Sequence, residues 1–302
     1  MTLLRLTNKP NPRPAPFPDT VVPLLEADVP ALRLRNTSLV RDDEVIESLR
    51  LMPGLSFWHP ASGEFVLVTP WRHRFDIPTF RLISAFGHEF DLVSGALQAA
   101  ATNGKAAFIT TETYERRRPI FYANHGLDNL ETIIAYRHDR VADFLGVAGT
   151  PVQDFQVVQP GDGALINQLV ALDHAAFPWI WRNSLEEFQW WMGQPSVEVT
   201  AGLIDGRVAS YYGTTYFRNM GHLDRIAVHP DFQGRAFGKE TLTVALQRMA
   251  GIGQTQAALC TQQANKVSQA LYERAGFQRA PHDDYHMYGT LFPAAPEEAI
   301  TT

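Results

Sequence analysis

The sequence predicts a mixed α/β fold, an α+β mixed sheet, laid out as two tandem domains of residues 1–150 and 151–302. Three observations carry this expectation. The chain has 302 residues, long for a single core. Short apolar runs of strand type are interleaved with helical periodicities, which is the pattern of helices packed on a mixed sheet. Finally, "ALQAAATNGKAAFITTETYERRRPIFYANHGL" near the end of the first half resembles "ALQRMAGIGQTQAALCTQQANKVSQALYERAGF" near the end of the second, with Tyr122 and Gly126 corresponding to Tyr272 and Gly276.

Composition narrows the function classes. With 45% hydrophobic and 19% charged residues the chain is of ordinary globular type. No apolar run approaches the roughly 18 residues of a membrane span, and the start is too short in apolar residues for a secretory signal. A cytoplasmic protein without a membrane partner is therefore expected. The single cysteine, Cys260, agrees with a reducing compartment and rules out a cysteine-based metal site. The ten histidines show no H-E-x-x-H spacing, so no metal is expected. Residues 151–302 hold 10 of the 26 Lys+Arg but 15 of the 32 Asp+Glu, an acidic balance that argues against nucleic acid and suits an amine-bearing acceptor.

Taken in chain order, "PNPRPAPFP" (10–18) has proline at alternate positions, which reads as an extended arm or a surface leader. The stretch "FVLVTPWRHRFDIPTFRLISAFGHEFDLV" follows, with Gly87 its only glycine, so the first half is expected to share the fold of the second but not its contents. Each repeat segment then reads as helix, apolar strand ("AAFITT", "AALCT") and a second helix closed by a glycine of left-handed type, Gly126 or Gly276. Arg116, Arg117 and Arg118 read as an anion contact or a solvated helix face. "GVAGTPVQ" (146–153) has the composition of a linker. Beyond it, "DFQVVQP", "SVEVTAGLI", "RVASYYGTTYF" and "YHMYGTLF" read as strands and "ALINQLVALDHAAF" as a helix.

The chemically informative stretch is "LDRIAVHPDFQGRAFGKETL" (223–242). A strand stops at Pro230, a turn of small residues runs from Gln233 to Gly238, and a helix begins with Leu242, Ala245, Leu246 and Met249 on one face. Such a junction points free backbone N–H groups at one spot, where the helix dipole favours an anion. The turn lacks the Lys-Ser/Thr pair of a P-loop and the G-x-G-x-x-G spacing of a dinucleotide fold.

"IAVHPDFQGRAFG" resembles motif A of the GNAT N-acetyltransferases, and "NKVSQALYERAGF" resembles their motif B. The resemblance covers most of residues 155–290. It implies two tandem GNAT-like acyltransferase domains, the first degenerate, with acetyl-CoA as co-substrate. The strand residues Ile226, Ala227 and Val228 would hold the pantetheine arm. The turn residues Gln233, Gly234, Arg235, Ala236, Phe237, Gly238 and Lys239 would hold the pyrophosphate. Ala236 stands where the family usually has glycine, and its methyl restricts the backbone.

At helical spacing Asn265, Ser268 and Tyr272 share a face, while Val267, Ala270 and Leu271 fall on a separate apolar stripe. A tyrosine off the apolar stripe fits a cleft; packing against the sheet is the competing reading. By resemblance Tyr272 is the acid toward the coenzyme A thiolate, and Asn265 and Ser268 belong to the cofactor site. On the strand "HLDRIAV", His222, Asp224, Ile226 and Val228 alternate to one face. Asp224 is the first candidate for the base that deprotonates the acceptor and His222 the second; a strand-end acid paired with Arg225 or a surface lysine is the alternative.

"LDHAAFPWIWRNSLEEFQWW" (172–191) is similar to the acceptor region of RimI-type enzymes, which acetylate protein N-termini. In those enzymes the next strand carries a glutamate base, and Cys260 stands at its counterpart here. Phe177, Trp179, Trp181, Phe188, Trp190 and Trp191 divide between packing and an acceptor pocket. Cys260 itself reads either as a small buried hydrophobe or as an acyl-carrying nucleophile. The expected activity is acetyl transfer to a primary amine, of a small molecule or a peptide N-terminus, by direct attack in a ternary complex. Enzymes similar to mycothiol synthase also join two such halves. A homodimer is compatible with this reading, and a non-catalytic coenzyme A sensor or assembly module is the alternative function.

Overall fold

The computed structural model describes residues 20–32, 40–111, 119–146 and 151–296. The proline arm, Arg116 to Arg118 and residues 147–150 of the linker lie outside these. The elements in order are β1 (Val22–Pro23), α1 (Asp42–Leu51), β2 (Phe57–His59), β3 (Glu64–Trp71), β4 (Arg74–Ser84), α2 (Glu89–Thr102), β5 (Ala107–Thr111), α3 (Pro119–Asn124) and β6 (Asp128–His138). They continue with β7 (Asp154–Val157), α4 (Gly163–Ala176), α5 (Leu185–Met192), β8 (Val197–Ile204), β9 (Arg207–Tyr216), β10 (Met220–Val228), α6 (Phe237–Gly251), β11 (Gln256–Gln262), α7 (Lys266–Arg274), β12 (Gln278–Arg279) and β13 (Tyr285–Leu291). Two compact units form, Met1–Pro70 with Phe75–Phe108, and Trp71–Arg74 with Ile109–Thr302.

In the first unit the sheet order is β1-β2-β3-β4. Phe65 and Leu67 of β3 pack with Val45 and Leu49 of α1 and with Trp58 in one buried cluster. Where β4 gives way to α2, the turn is closed by a side chain of the same unit. Glu64 Oε2 accepts the N–H groups of Phe86 (2.9 Å), Gly87 (3.0 Å) and His88 (3.0 Å), and Oε1 lies 3.2 Å from His88 Nδ1. Burial alone would raise the Glu64 pKa, but these donors draw it down to about 2. A carboxylate thus sits at the helix start where the second half carries its glycine turn.

The nine-stranded sheet runs β5-β13-β6-β11-β10-β9-β8-β7, with β12 also on β6. β6 comes from the first half of the sequence yet pairs antiparallel with both β11 and β13. Its run Ile133, Ile134, Ala135 and Tyr136 is buried throughout, as a strand covered on both faces must be. That continuous apolar run has no period-2 signature, which is why β6 does not stand out in the sequence.

The periodicity predicted for α6 is present: Leu242, Ala245, Leu246 and Met249 are at most 1% exposed. The start of α6 is anchored from below by a polar network. Gln153 Nε2 donates to Glu240 Oε2 (2.8 Å), Ser210 Oγ donates to Gln153 Oε1 (2.6 Å), and Ser210 and Thr241 hydroxyls meet at 2.8 Å. The expected apolar stripe of α7 is corrected: Val267 is 84% exposed, while Gln269 and Tyr272 are buried. The helix packs Leu271, Tyr272 and Ala275 on the core, and its Asn265, Ser268 and Tyr272 line a cavity.

Candidate functional site

The site begins with a break in the sheet. β10 pairs with β11 in parallel only from Met220↔Gln256 to Leu223↔Leu259, then the two strands part. On its other side β10 stays paired to β9 as far as Val228↔Ser210, with a register shift between Leu223 and Arg225 that makes Asp224 the extra residue of a bulge. The β11-facing edge of Asp224 to Val228 is thereby left open to a ligand. Across β10 from Arg225 stands Gly213, where a Cβ would overlap the Trp191 ring, so glycine is required for that ring to lie against the strand.

A cavity of about 440 Å³ occupies the split. It brings together the predicted residues His222, Asp224, Ile226, Asn265, Ser268 and Tyr272, and adds Cys260 and Tyr285. Ala227 instead points into the core beneath α4, 7% exposed. Val228 stands beside the start of α6, its Cγ2 3.7 Å from where a Gly238 Cβ would lie.

The glycine turn follows at the end of β10, outside the cavity. Gln233 Nε2 reaches back to the Val228 carbonyl (3.1 Å), and Gly234, Arg235, Ala236 and Lys239 are exposed. Among the described residues no backbone acceptor faces the N–H groups from Gly234 to Gly238, so they are available to an anion. Gly234 has φ +76° with open space around its Cα. Ala236, the N-cap of α6, has φ 63° and ψ 7° and takes the left-handed conformation that glycine adopts without cost.

On α7, Asn265 is the N-cap and accepts the Ser268 N–H at 3.1 Å. Tyr272 is 4% exposed, with the rings of Tyr136 and Phe277 each 6.1 Å away. Burial pushes its phenol up to about 12, against a hydrogen bond from Ser268, so it keeps its proton at neutral pH.

Asp224 is not paired with Arg225. Its Oδ1 lies 2.6 Å from His222 Nδ1, and its Oδ2 accepts the Thr215 hydroxyl at 2.6 Å. Burial would lower the His222 pKa, but hydrogen bonds to Asp224 and Cys260 override it and raise the group to about 9. Arg225 is buried against Asp173 instead, with Nε 2.5 Å from Oδ2, and its guanidinium stacks 3.8 Å over Phe177. Tyr211 donates to the same Asp173 oxygen and Asn183 N–H to the other, at 2.5 and 2.7 Å. This cluster fixes the segment between α4 and α5 onto β10.

A second cavity of about 380 Å³ shares Arg72, Asp224 and Arg225 with the first and is walled by Glu187, Trp190 and Trp191. Of the aromatic series, Phe177 and Trp181 face the first cavity, Trp190 and Trp191 the second, and Phe188 is fully buried. Arg72 sits at the tip of the β3–β4 hairpin, hydrogen-bonded to Asn183 and 3.5 Å from Glu187. The sequence reading missed it, because a turn with Arg72 and His73 at positive φ carries no glycine or asparagine to mark it. Glu131 on β6 was missed as well. Trp181 Nε1 donates to it at 2.6 Å, and burial pushes its pKa up to about 7. Asp173 did leave a signal, since it falls seven residues after Ile166 on the buried face of α4.

Among the described residues no group of three or more His, Cys, Asp or Glu side chains could hold a metal ion, and no helix is long and apolar enough to cross a membrane.

The fold is similar to that of solved structures, and part of the chain is similar to known sequences. A tandem GNAT protein from the clavulanic acid biosynthesis pathway shares the fold, with a TM-score of 0.56 at 16% identity over 92% of this chain and 99% of that one. A conserved protein from Enterococcus faecalis V583, described as a probable N-acyltransferase, gives 0.64 at 11% identity, covering 91% of this chain and 73% of its own. A mycothiol acetyltransferase of Streptomyces coelicolor (strain ATCC BAA-471 / A3(2) / M145) is 32% identical over 88 residues, and that alignment spans only 28% of each protein. The family model described as Acetyltransferase (GNAT) family matches residues 166–277. The split strands, the glycine turn and Tyr272 all lie within the residues that this acetyltransferase model matches.

Proposed function

We propose that the protein is an acetyl-CoA-dependent N-acetyltransferase that acts on a primary amine by direct attack within a ternary complex. The observation that carries this reading is the parting of β10 from β11 at Asp224, with the unpartnered amides of Gly234 to Gly238 at its outer end and Tyr272 in its wall. The open edge of Ile226 to Val228 suits the amide groups of a pantetheine arm, and the turn from Gln233 to Lys239 suits a pyrophosphate. Acetyl-CoA supplies the activated thioester carbonyl. Asn265 and Ser268 line the cavity on the opposite wall.

The acceptor enters through the second cavity, where Glu187 and the Trp190 ring suit an ammonium group. Asp224 lines both cavities and takes the ammonium proton. His222 is the second candidate, and its raised pKa confines that role to alkaline pH. Tyr272, held protonated by burial, donates to the departing thiolate.

The first half is proposed to be a degenerate repeat without a cofactor of its own. Glu64 already fills the nest at the start of α2 with a carboxylate, so an incoming phosphate would meet both an occupied site and a like charge.

A non-catalytic coenzyme A-binding module is the second reading. It is favoured by Tyr122, the repeat counterpart of Tyr272, which is 4% exposed and stacked 3.9 Å from Tyr288 as plain architecture. Replacing Tyr272 by Phe separates the two. Release of free thiol with a panel of amines and peptide N-termini should fall about 10- to 100-fold, with coenzyme A affinity unchanged. A native chain that binds coenzyme A but turns over none of the amines supports the module instead.

A further inference from the structure

Direct transfer to an amine leaves Cys260 without a role, although it stands among groups that the transfer uses. It lies on β11, partly exposed, and lines the cavity together with His222, Asp224 and Tyr272. The register places it on the same face as His222: His222 is opposite Ala258, and Cys260 follows two residues on. His222 Nδ1 lies 2.6 Å from Asp224 Oδ1, and the Cys260 side chain is near enough to help raise the His222 pKa. With Nδ1 committed to the carboxylate, the nitrogen left for sulfur is Nε2. Thr215 Oγ1, 2.6 Å from Asp224 Oδ2, holds the carboxylate in turn. Thiol, imidazole and an orienting carboxylate in series are the arrangement that activates a nucleophile.

We propose that Cys260, His222 and Asp224 form an acyl-accepting thiol site, onto which the acetyl group passes when no amine occupies the second cavity. The proposal rests on the acetyl-CoA reading above for its donor. Beside the His222 imidazolium, Cys260 gives its thiol proton to water and its Sγ attacks the thioester carbonyl. A new S–C bond forms, the bond from carbon to the coenzyme A sulfur breaks, and the leaving thiolate takes up a proton, so free coenzyme A and S-acetyl-Cys260 result. No oxidant or reductant is needed. A later amine can attack this thioester and return the thiol. The imidazolium favoured at neutral pH places a positive charge beside the sulfur, which supports the thiolate as it forms.

The test uses the full chain and two readouts. Incubated with acetyl-CoA and no amine, the native protein is expected to gain the mass of one acetyl group, removable by neutral hydroxylamine and absent in Cys260→Ala. A native chain that binds coenzyme A by calorimetry yet acquires no such adduct, or an adduct that persists in Cys260→Ala, overturns the proposal while leaving the acetyltransferase reading intact. The second readout needs no cofactor. Alkylation of Cys260 by iodoacetamide at neutral pH should slow about tenfold in His222→Gln. Equal rates in native and variant, with both folded by circular dichroism, also overturn it.

Discussion

Asp224 and His222 stand two residues apart on β10, and their side chains meet at 2.6 Å, Oδ1 to Nδ1. The bulge at Asp224 lets this happen at the mouth of the split strands, where both groups face the cavity. The pair raises His222 from its ordinary 6.5 to about 9. Its contribution to stability is therefore complete below about pH 6.5 and is lost as pH rises through about 9. At roughly 1.4 kcal/mol per pKa unit it amounts to about 3 kcal/mol. Denaturant unfolding at pH 6 and pH 10 should show this loss in the native protein and a much smaller one in His222→Gln.

The buried pair of Asp173 and Arg225 should be the most sensitive structural point of the second unit. Asp173 is 0% exposed and serves Arg225, Tyr211 and the Asn183 amide at once. Asp173→Asn leaves a guanidinium buried without its counter-charge, a loss of about 3–5 kcal/mol. Urea unfolding would measure it; a change under 1 kcal/mol would show that Arg225 finds another partner.

Ala236 carries backbone strain that glycine would remove. At φ 63° its methyl opposes the following carbonyl. Ala236→Gly should raise unfolding stability by about 0.5–1 kcal/mol and leave coenzyme A affinity equal or improved, as read by thermal melting and calorimetry.

Glu64 should act as an acid-sensitive clamp on the first unit. Its pKa is drawn down to about 2, so its contribution is present above about pH 4.5 and is lost as pH falls through about 2. Glu64→Gln keeps the shape but loses the charge-assisted bonds to Phe86, Gly87 and His88, costing about 1–3 kcal/mol at pH 7. Amide exchange across 86–92 should accelerate in this variant.

The parts of the site legible in the sequence are those encoded locally. The turn from Gln233 to Gly238 and the face of α6 follow from residue type and helical period, and Asn265, Ser268 and Tyr272 from spacing along one helix. Val267 was misread because hydrophobicity alone assigns it inward, whereas α7 turns toward a cavity lined with polar groups. Arg72 and Glu131 reach their places through a hairpin tip and an inserted strand, both far away in sequence. Tertiary assembly of that kind leaves no periodic trace.

Whether the amides from Gly234 to Gly238 hold the pyrophosphate of coenzyme A is decided by calorimetry of the full chain with coenzyme A, native and Ala236→Asp. Aspartate tolerates the left-handed conformation and is a favoured N-cap, so it keeps the fold while occupying those amides and repelling phosphate. The native chain should bind one equivalent, and the variant should bind at least about 30-fold more weakly. No heat with the native chain, or equal affinity in the variant, would contradict it.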